Sequence, residues 1–219
     1  MSASQLRAVF FDLDGTLADT APDLGGALNR LLQEEGRSPL PMDQLRPYVS
    51  GGARALLRTG FGITPDDTGY PDLQRRFLDL YARHICVDTR LFDGMDDVLA
   101  TLENKGILWG IITNKVERFT RDVVAGLGLA ERAASVISGD SAPRPKPAPD
   151  PLLMAADLAG LAPETCLYVG DDLRDIQAGK AAGMGTVTAA WGYLGESPDL
   201  DAWQADHICR HPQDLLSLI

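Results

Sequence analysis

The stretch Ala8-Val9-Phe10-Phe11-Asp12-Leu13-Asp14-Gly15-Thr16 changes from apolar to acidic within a few residues. Its first four residues are small, β-branched or aromatic, which is typical of a short buried strand. Two carboxylates, Asp12 and Asp14, follow where that strand ends, and Gly15 favours a turn. The stretch therefore predicts a buried strand that presents acidic side chains at its carboxyl end.

Other apolar runs predict further strands, and segments with helical periodicity separate them. The strand-like runs are 108–112, 134–137, 166–169 and 186–190. The helical patterns cover 96–105, 117–127, 151–159 and 175–182. This alternation predicts an α/β fold, a Rossmann-like parallel sheet with helices on both faces. In such sheets the ligand crevice lies beyond the carboxyl ends of the strands.

Residues 17–91 separate the first two strands by far more chain than one crossover helix needs. The helical segments predicted there are 23–35, 42–48, 53–59 and 72–85, with glycine-containing turns between them. We therefore expect an inserted α-helical cap domain at 17–91 and a core domain formed by 1–16 and 92–219. A helical layer packed into the same domain is the alternative.

Polar side chains cluster after four of the predicted strands, and oxygen atoms dominate the set. The clustered residues are Asp12, Asp14, Thr113, Asn114, Lys146, Asp171, Asp172 and Asp175. Five carboxylates in one crevice repel one another unless a cation lies among them. Oxygen ligands without histidine or cysteine favour Mg²⁺ over zinc. A lysine and a hydroxyl–amide pair beside the metal suit a phosphoryl group.

The order and spacing of these clusters resemble the haloacid dehalogenase superfamily across nearly the whole chain. Residues 12–16 match its DxDGT motif, and Thr113-Asn114 matches the second motif. Lys146 matches the third motif, and 170–175 match the fourth, GDxxxD. The helical insertion also falls where that superfamily places its cap, so the resemblance implies a HAD-like core with a helical cap.

The resemblance implies a role for each acidic residue of the first motif. Asp12 is the expected nucleophile, which would form an aspartyl-phosphate. Asp14 is the expected general acid and base. Mg²⁺ would be held by the side chains of Asp12 and Asp171 and by the backbone carbonyl of Asp14.

The resemblance also implies phosphate-binding and supporting residues. The Thr113 hydroxyl, the Asn114 backbone amide and the Lys146 ammonium are expected to hold the phosphoryl oxygens. Asp172 and Asp175 are expected to orient metal-bound waters or Lys146. The sequence leaves open which of these two residues does so.

Within the superfamily, the residues favour hydrolysis of a phosphomonoester. Asp14 argues against a dehalogenase, and the absence of lysine from 17–90 excludes a cap lysine that forms a Schiff base. No histidine follows closely after the first motif, as it does in the sugar-phosphate mutases. A kinase is disfavoured because no GxxxxGK[ST] loop occurs. A non-catalytic anion-binding protein on the same scaffold is the remote alternative.

The turn at 50–54 is the candidate determinant of substrate choice. We expect the amides of Gly51 and Gly52 and the side chain of Arg54 to hold a distal anionic group such as a carboxylate. The alternative is an interhelix turn with a solvated arginine.

Two phosphatase groups of the superfamily share further features with the chain. Segments 19–24, 114–115 and 191–193 resemble bacterial phosphoglycolate phosphatases. Segments 50–55 and 170–176 resemble N-acetylmuramic acid 6-phosphate phosphatases of cell-wall recycling. The sequence favours the first activity and leaves the second open, so the expected partner is a small phosphate monoester that carries a carboxylate.

Charge and hydropathy limit the other partners. The 219 residues carry a formal net charge of −11, which disfavours nucleic acid and anionic membranes. No apolar run approaches the roughly 18 residues that a membrane span needs. Residues 1–8 are too short and polar for a signal peptide, so we expect a cytoplasmic protein. The oligomeric state is left open.

Overall fold

A computed structural model describes residues 6–196 and 198–219 and contains eight strands in these ranges. They are β1 (Ala8–Phe11), β2 (Ala18–Asp19), β3 (Arg90–Leu91), β4 (Leu108–Ile112), β5 (Val136–Ile137), β6 (Cys166–Gly170), β7 (Gly185–Ala189) and β8 (His207–Cys209). Six of them form a parallel sheet in the order β5-β4-β1-β6-β7-β8. β2 and β3 form a separate antiparallel ribbon. The predicted parallel sheet is confirmed.

Eight α-helices and four short 3₁₀ segments connect or follow these strands in the described ranges. The α-helices are α1 (Ala21–Glu34), α2 (Met42–Leu45), α3 (Gly52–Phe61), α4 (Tyr70–Arg83), α5 (Met95–Asn104), α6 (Glu117–Gly126), α7 (Asp150–Leu158) and α8 (Leu173–Ala182). The 3₁₀ segments are Arg46–Gly51, Pro163–Thr165, Asp201–Trp203 and Pro212–Ser217.

The two faces of the sheet bury separate apolar layers because strand side chains alternate in direction. Val9 and Phe11 of β1 belong to the same buried cluster as residues of α5 and α6. Ala8 and Phe10 belong to another, with residues of α7 and α8. This is the arrangement expected for a parallel sheet, whose strands are buried on both faces.

Helices α1 to α4 enclose an apolar cluster of their own. Leu28, Leu31, Leu56 and Phe77 are among its fully buried members. The ribbon of β2 and β3 brings the two ends of this helical segment together. The predicted division at residues 16/17 and 91/92 is compatible with this arrangement and stays a prediction.

Two predicted elements are clearly shorter in the structure, and the ends of several others shift by one or two residues. The helix expected at 42–48 ends at Leu45, and a 3₁₀ segment follows. Pro47 explains this change because it lacks the N–H that a continuing α-helix would use. The strand expected at 134–137 is reduced to Val136–Ile137 at the edge of the sheet, where it pairs with β4 and with no other described strand.

A buried carboxylate at the start of α1 binds the backbone of the segment that precedes β3. Asp23, in the first turn of α1, accepts hydrogen bonds from the backbone amides of Val87, Asp88 and Thr89 at 2.9–3.0 Å. The Thr89 hydroxyl donates another at 2.7 Å. These contacts fix the chain just before β3 against the start of α1.

In the described ranges, no helix is both long enough and apolar enough to cross a membrane.

Candidate active site

The site lies at the carboxyl ends of the three central strands, β4, β1 and β6. Phe11 is in register with Ile111 on one side and Val169 on the other. Asp12 therefore leaves the sheet between the segments that follow β4 and β6. This register brings the first, second and fourth predicted polar clusters to one edge of the sheet.

Three buried carboxylates form the centre of the site. Oxygen atoms of Asp12, Asp171 and Asp175 all lie within 4.8 Å of one another. The Nζ atom of Lys146 lies 2.9 Å from Oδ1 of Asp12 and 2.7 Å from Oδ1 of Asp175. The relative exposure of Asp12 is 8% and that of Lys146 is 4%. One ammonium group thus contacts two of the three carboxyl groups in a buried site.

Burial makes the charged forms of these carboxyl groups costly. It raises the pKa of Asp12 to about 7, with further contributions from Asp175 and Asp14, although Lys146 opposes the rise. Burial and the neighbouring Asp12 and Asp175 also raise the pKa of Asp171 well above its usual range. An additional cation would favour the ionised forms.

The residues at this centre fit a hard divalent cation. Oδ1 of Asp12 is buried and accepts no well-oriented hydrogen bond from the described residues. The candidate cluster contains only carboxylate ligands, with neither histidine nor cysteine. Such ligands suit Mg²⁺.

Lys146 is held from several sides. Its Nζ donates hydrogen bonds to the backbone carbonyl of Ile112 at 3.0 Å and to the Tyr168 hydroxyl at 2.8 Å. Its backbone exchanges two hydrogen bonds with the Asn114 side chain, both 3.0 Å long. Burial opposes the charge of Lys146, but Asp12 and Asp175 outweigh it and raise its pKa. The role of the Asn114 side chain was not predicted.

Asp14 occupies a different environment from Asp12. Its Oδ1 accepts a hydrogen bond from the Thr20 hydroxyl at 2.5 Å and lies 2.9 Å from Nζ of Lys115. Lys115 also donates to the Tyr81 hydroxyl on α4 at 3.2 Å. Sequence reasoning missed Lys115 and Tyr81, although Lys115 directly follows the second motif.

The Asp171 carboxylate is fixed by the core and by the helical segment. It accepts hydrogen bonds from the Thr16 hydroxyl at 2.9 Å, the Ser50 hydroxyl at 2.9 Å and the Tyr193 amide at 2.7 Å. Gly15 lies against it with φ at +87°, and a Cβ there would come within 2.2 Å of Oδ2 of Asp171. The glycine of the first motif therefore provides both a left-handed turn and space.

Asp172 and Asp175 have distinct contacts. Together they form a capping box at the start of α8. Asp175 contacts Lys146, whereas both carboxylate oxygens of Asp172 accept hydrogen bonds from Arg174 at 2.8 Å. The geometry places Asp175, and not Asp172, in direct contact with Lys146.

A cavity of about 380 Å³ lies between the end of the sheet and the helical segment. Ten of the eleven predicted site residues line it: Asp12, Asp14, Gly51, Gly52, Arg54, Thr113, Asn114, Lys146, Asp172 and Asp175. Asp171 lies beside Asp12, outside this lining. The guanidinium of Arg54 forms no ion pair or hydrogen bond with the residues that the structure describes. Leu24, Phe77, Tyr81 and Phe119 form an apolar wall.

The comparisons with known proteins agree with this architecture. The family model for haloacid dehalogenase-like hydrolases matches residues 9–189. The chain therefore belongs to this family, and the expected superfamily is confirmed.

Relatives with two different names match nearly the full chain. An N-acetylmuramic acid 6-phosphate phosphatase from Pseudomonas putida is 41% identical over 215 residues, covering 98% of this chain and 96% of the relative. A phosphoglycolate phosphatase from Xanthomonas campestris pv. campestris is 45% identical over 210 residues, covering 95% and 94%. A crystal structure described as a predicted phosphoglycolate phosphatase from Haemophilus somnus 129PT superposes with a TM-score of 0.85 at 25% identity, covering 98% of both chains.

Proposed function

We propose that the protein is a Mg²⁺-dependent phosphomonoester hydrolase that works through an aspartyl-phosphate on Asp12. The observation that carries this proposal is the position of Asp12. It lies beside Lys146 at one end of the cavity, and Asp14 lines the same cavity two residues further along the chain. The names of the full-length relatives support the same reaction class.

In the first half-reaction, a carboxylate oxygen of Asp12 attacks phosphorus and forms a new bond to it. The ester bond breaks, and its electron pair stays on the leaving oxygen, which takes a proton from Asp14. Thr113, the backbone amide of Asn114 and Lys146 bind the phosphoryl oxygens and offset their charge.

In the second half-reaction, Asp14 accepts a proton from a water molecule as that water attacks phosphorus. The bond between phosphorus and Asp12 breaks, its electron pair returns to the carboxylate, and inorganic phosphate leaves. Asp14 thereby regains the proton that it gave to the leaving group, so the enzyme returns to its initial state.

We assign the cation to Asp12, Asp171 and the backbone carbonyl of Asp14. When bound, Mg²⁺ supplies positive charge that favours the ionised form of Asp12 and offsets the charge of the phosphoryl group. Asp175 keeps Lys146 in place, and Asp172 keeps Arg174 in place.

The protein is expected to act in the cytoplasm, as predicted from the sequence.

For the substrate, we propose a small phosphate monoester with a carboxylate, and 2-phosphoglycolate is the first candidate. The guanidinium of Arg54 lies on the cavity wall and pairs with no described residue, which supports a carboxylate because arginine binds this group through two parallel hydrogen bonds.

N-acetylmuramic acid 6-phosphate is the second candidate, and the size of the cavity favours it. Cavities of roughly 300–1,000 Å³ are typical for drug-sized ligands, and this one has about 380 Å³. The apolar wall offers contacts that a two-carbon acid would not use but a sugar ring would. Both candidates combine a phosphate ester with a carboxylate, so Arg54 has the same task in each.

The deciding experiment measures kcat/KM for both compounds side by side, with Mg²⁺ and with EDTA. A preference above about 100-fold, equal to about 2.7 kcal/mol of transition-state discrimination, would assign the substrate. Low rates on both would assign the cavity to another phosphate ester. Absence of phosphate release from every monoester tested would refute the proposed activity.

A substitution at Arg54 tests carboxylate recognition. Arg54→Ala should lower kcat/KM about tenfold or more for the preferred acid, since a hydrogen bond to a charged group contributes about 1.5–3 kcal/mol. It should leave p-nitrophenyl phosphate, which has no carboxylate, unaffected. Arg58→Ala is the matched control because Arg58 lies one turn further along α3 and outside the cavity lining. Equal losses for both substrates would contradict the assignment.

A further inference from the structure

The two oxygens of the Asp14 carboxyl group have different surroundings. Oδ1 accepts a hydrogen bond from the Thr20 hydroxyl and lies 2.9 Å from the ammonium of Lys115. Oδ2 has no hydrogen bond from the described residues. An ammonium group can only donate hydrogen bonds, so Oδ1 is held as an acceptor by two donors, whereas Oδ2 has no such partner among the described residues. The contacts with Thr20 and Lys115 therefore fix Oδ1 and leave Oδ2 as the oxygen that can contact a leaving group.

Lys115 connects Asp14 to the helical segment. Its side chain is buried, and its Nζ lies 3.2 Å from the Tyr81 hydroxyl and 4.9 Å from the centre of the Tyr81 ring. Tyr81 belongs to α4 and packs against Phe119 of α6, with ring centres 5.3 Å apart. The position of Lys115 thus depends on α4 as well as on the loop after β4.

We propose that Lys115, held by Tyr81, is a positioning residue that orients Asp14 so that Oδ2 delivers the proton to the leaving oxygen. The inference rests on the proposed function, because it assigns a supporting residue to the general acid of that reaction. In the step concerned, the bond between phosphorus and the leaving oxygen breaks, and the oxygen keeps the electron pair and takes the proton from Oδ2. α4 then contributes to acid catalysis and not only to substrate recognition.

The test compares two esters of similar shape that differ in their need for an acid. Phenyl phosphate releases a basic phenolate that benefits from protonation, whereas p-nitrophenyl phosphate releases a stabilised anion that needs little. We measure kcat/KM because it includes the transfer of the phosphoryl group to the enzyme and excludes its later hydrolysis. Losses in phosphate binding affect both esters equally, so the ratio of the two kcat/KM values isolates proton donation.

Four variants complete the experiment. Lys115→Met should lower kcat/KM about 100-fold for phenyl phosphate and less than about fivefold for p-nitrophenyl phosphate, in line with the usual contribution of an acid catalyst. Tyr81→Phe keeps the ring and removes the hydroxyl, so it should change the ratio in the same direction, by about tenfold at most. Lys115→Arg should restore most of the ratio. Tyr70→Phe is the matched control, since Tyr70 is another buried tyrosine of α4 and lies outside this network.

The outcomes separate the inference from the proposed function. Equal losses for both esters in Lys115→Met, with folding confirmed by circular dichroism, would overturn the positioning role while the phosphatase assignment stands. An unchanged ratio in Tyr81→Phe would overturn the contribution of α4. Failure of the wild-type protein to hydrolyse either ester would overturn the proposed function itself.

Discussion

The buried acidic cluster predicts that the metal-free protein loses stability as the pH rises toward neutrality. The pKa of Asp12 is about 7 in the folded protein and 3.8 in the reference state. Between these values the folded chain holds a proton that the unfolded chain has released. Stability therefore falls with increasing pH across this window and levels off above the folded pKa. Asp171, whose pKa is also raised, acts in the same direction.

The magnitude follows from the linkage between protonation and folding. One carboxyl group that is protonated only in the folded state changes the free energy of unfolding by about 1.4 kcal/mol per pH unit. From about pH 5.5 to the folded pKa of Asp12, about 7, the loss is about 2 kcal/mol from this group alone. Mg²⁺ at about 100 times its dissociation constant should restore about 2.7 kcal/mol.

Urea unfolding at about pH 5.5 and about pH 7.5, in EDTA and in Mg²⁺, measures these differences. Asp12→Asn removes one of the ionisable groups with little change in shape, so it should reduce the loss of stability in EDTA by about the 2 kcal/mol assigned to Asp12. Asp66→Asn is the matched control because the side chain of Asp66 is exposed and outside the cluster. A free energy of unfolding that stays constant or rises over this interval in EDTA would refute the electrostatic reasoning.

Further predictions concern the contacts that hold the site. Lys146→Met should cost about 3–5 kcal/mol in urea unfolding by leaving buried carboxylates unpaired, and a loss no larger than that of the exposed Lys105→Met would contradict it. Asp23→Ala should lower the free energy of unfolding by about 3 kcal/mol, because buried amides lose their acceptor. A loss below about 1 kcal/mol would show that the hydrogen bonds from residues 87–89 to Asp23 contribute little to stability. Gly15→Ala should lose about 1–2 kcal/mol from the left-handed backbone alone and should weaken Mg²⁺ binding measured by calorimetry, since its Cβ would displace Asp171. Unchanged Mg²⁺ affinity would show that this close approach is unimportant.

The sequence predicted the parts of the fold that depend on local pattern. Apolar runs followed by acidic residues identified β1 and β6, and helical periodicity identified α5 to α8 within a few residues. The position of the site followed from the rule that the carboxyl ends of parallel strands meet at one edge. The helix predicted at 42–48 was too long, because the helical periodicity extends through Pro47, whose backbone cannot continue an α-helix.

Contacts between distant segments could not be predicted in the same way. Ser50 reaches Asp171 and Tyr81 reaches Lys115 across sequence separations of 121 and 34 residues. Neither contact leaves a periodic pattern in the sequence, because each depends on how the helices pack over the sheet. The choice between Asp172 and Asp175 as the partner of Lys146 depended likewise on the orientation of α8, whose start both residues cap.

The two lysines of the site explain how carboxylates only two residues apart can take different roles in the proposed reaction. Lys146 is fixed by Asp12, Asp175 and the Tyr168 hydroxyl, so its charge remains at the buried cluster beside the nucleophile. Lys115 binds Asp14 instead, at the wall formed partly by α4. Asp12 is thus paired with Lys146, and Asp14 is paired with Lys115. Of these two lysines, Lys115 is the one with a contact to the helical segment in the part of the chain that the structure describes. Displacement of α4 should therefore impair proton transfer before it disturbs the charge balance around Asp12.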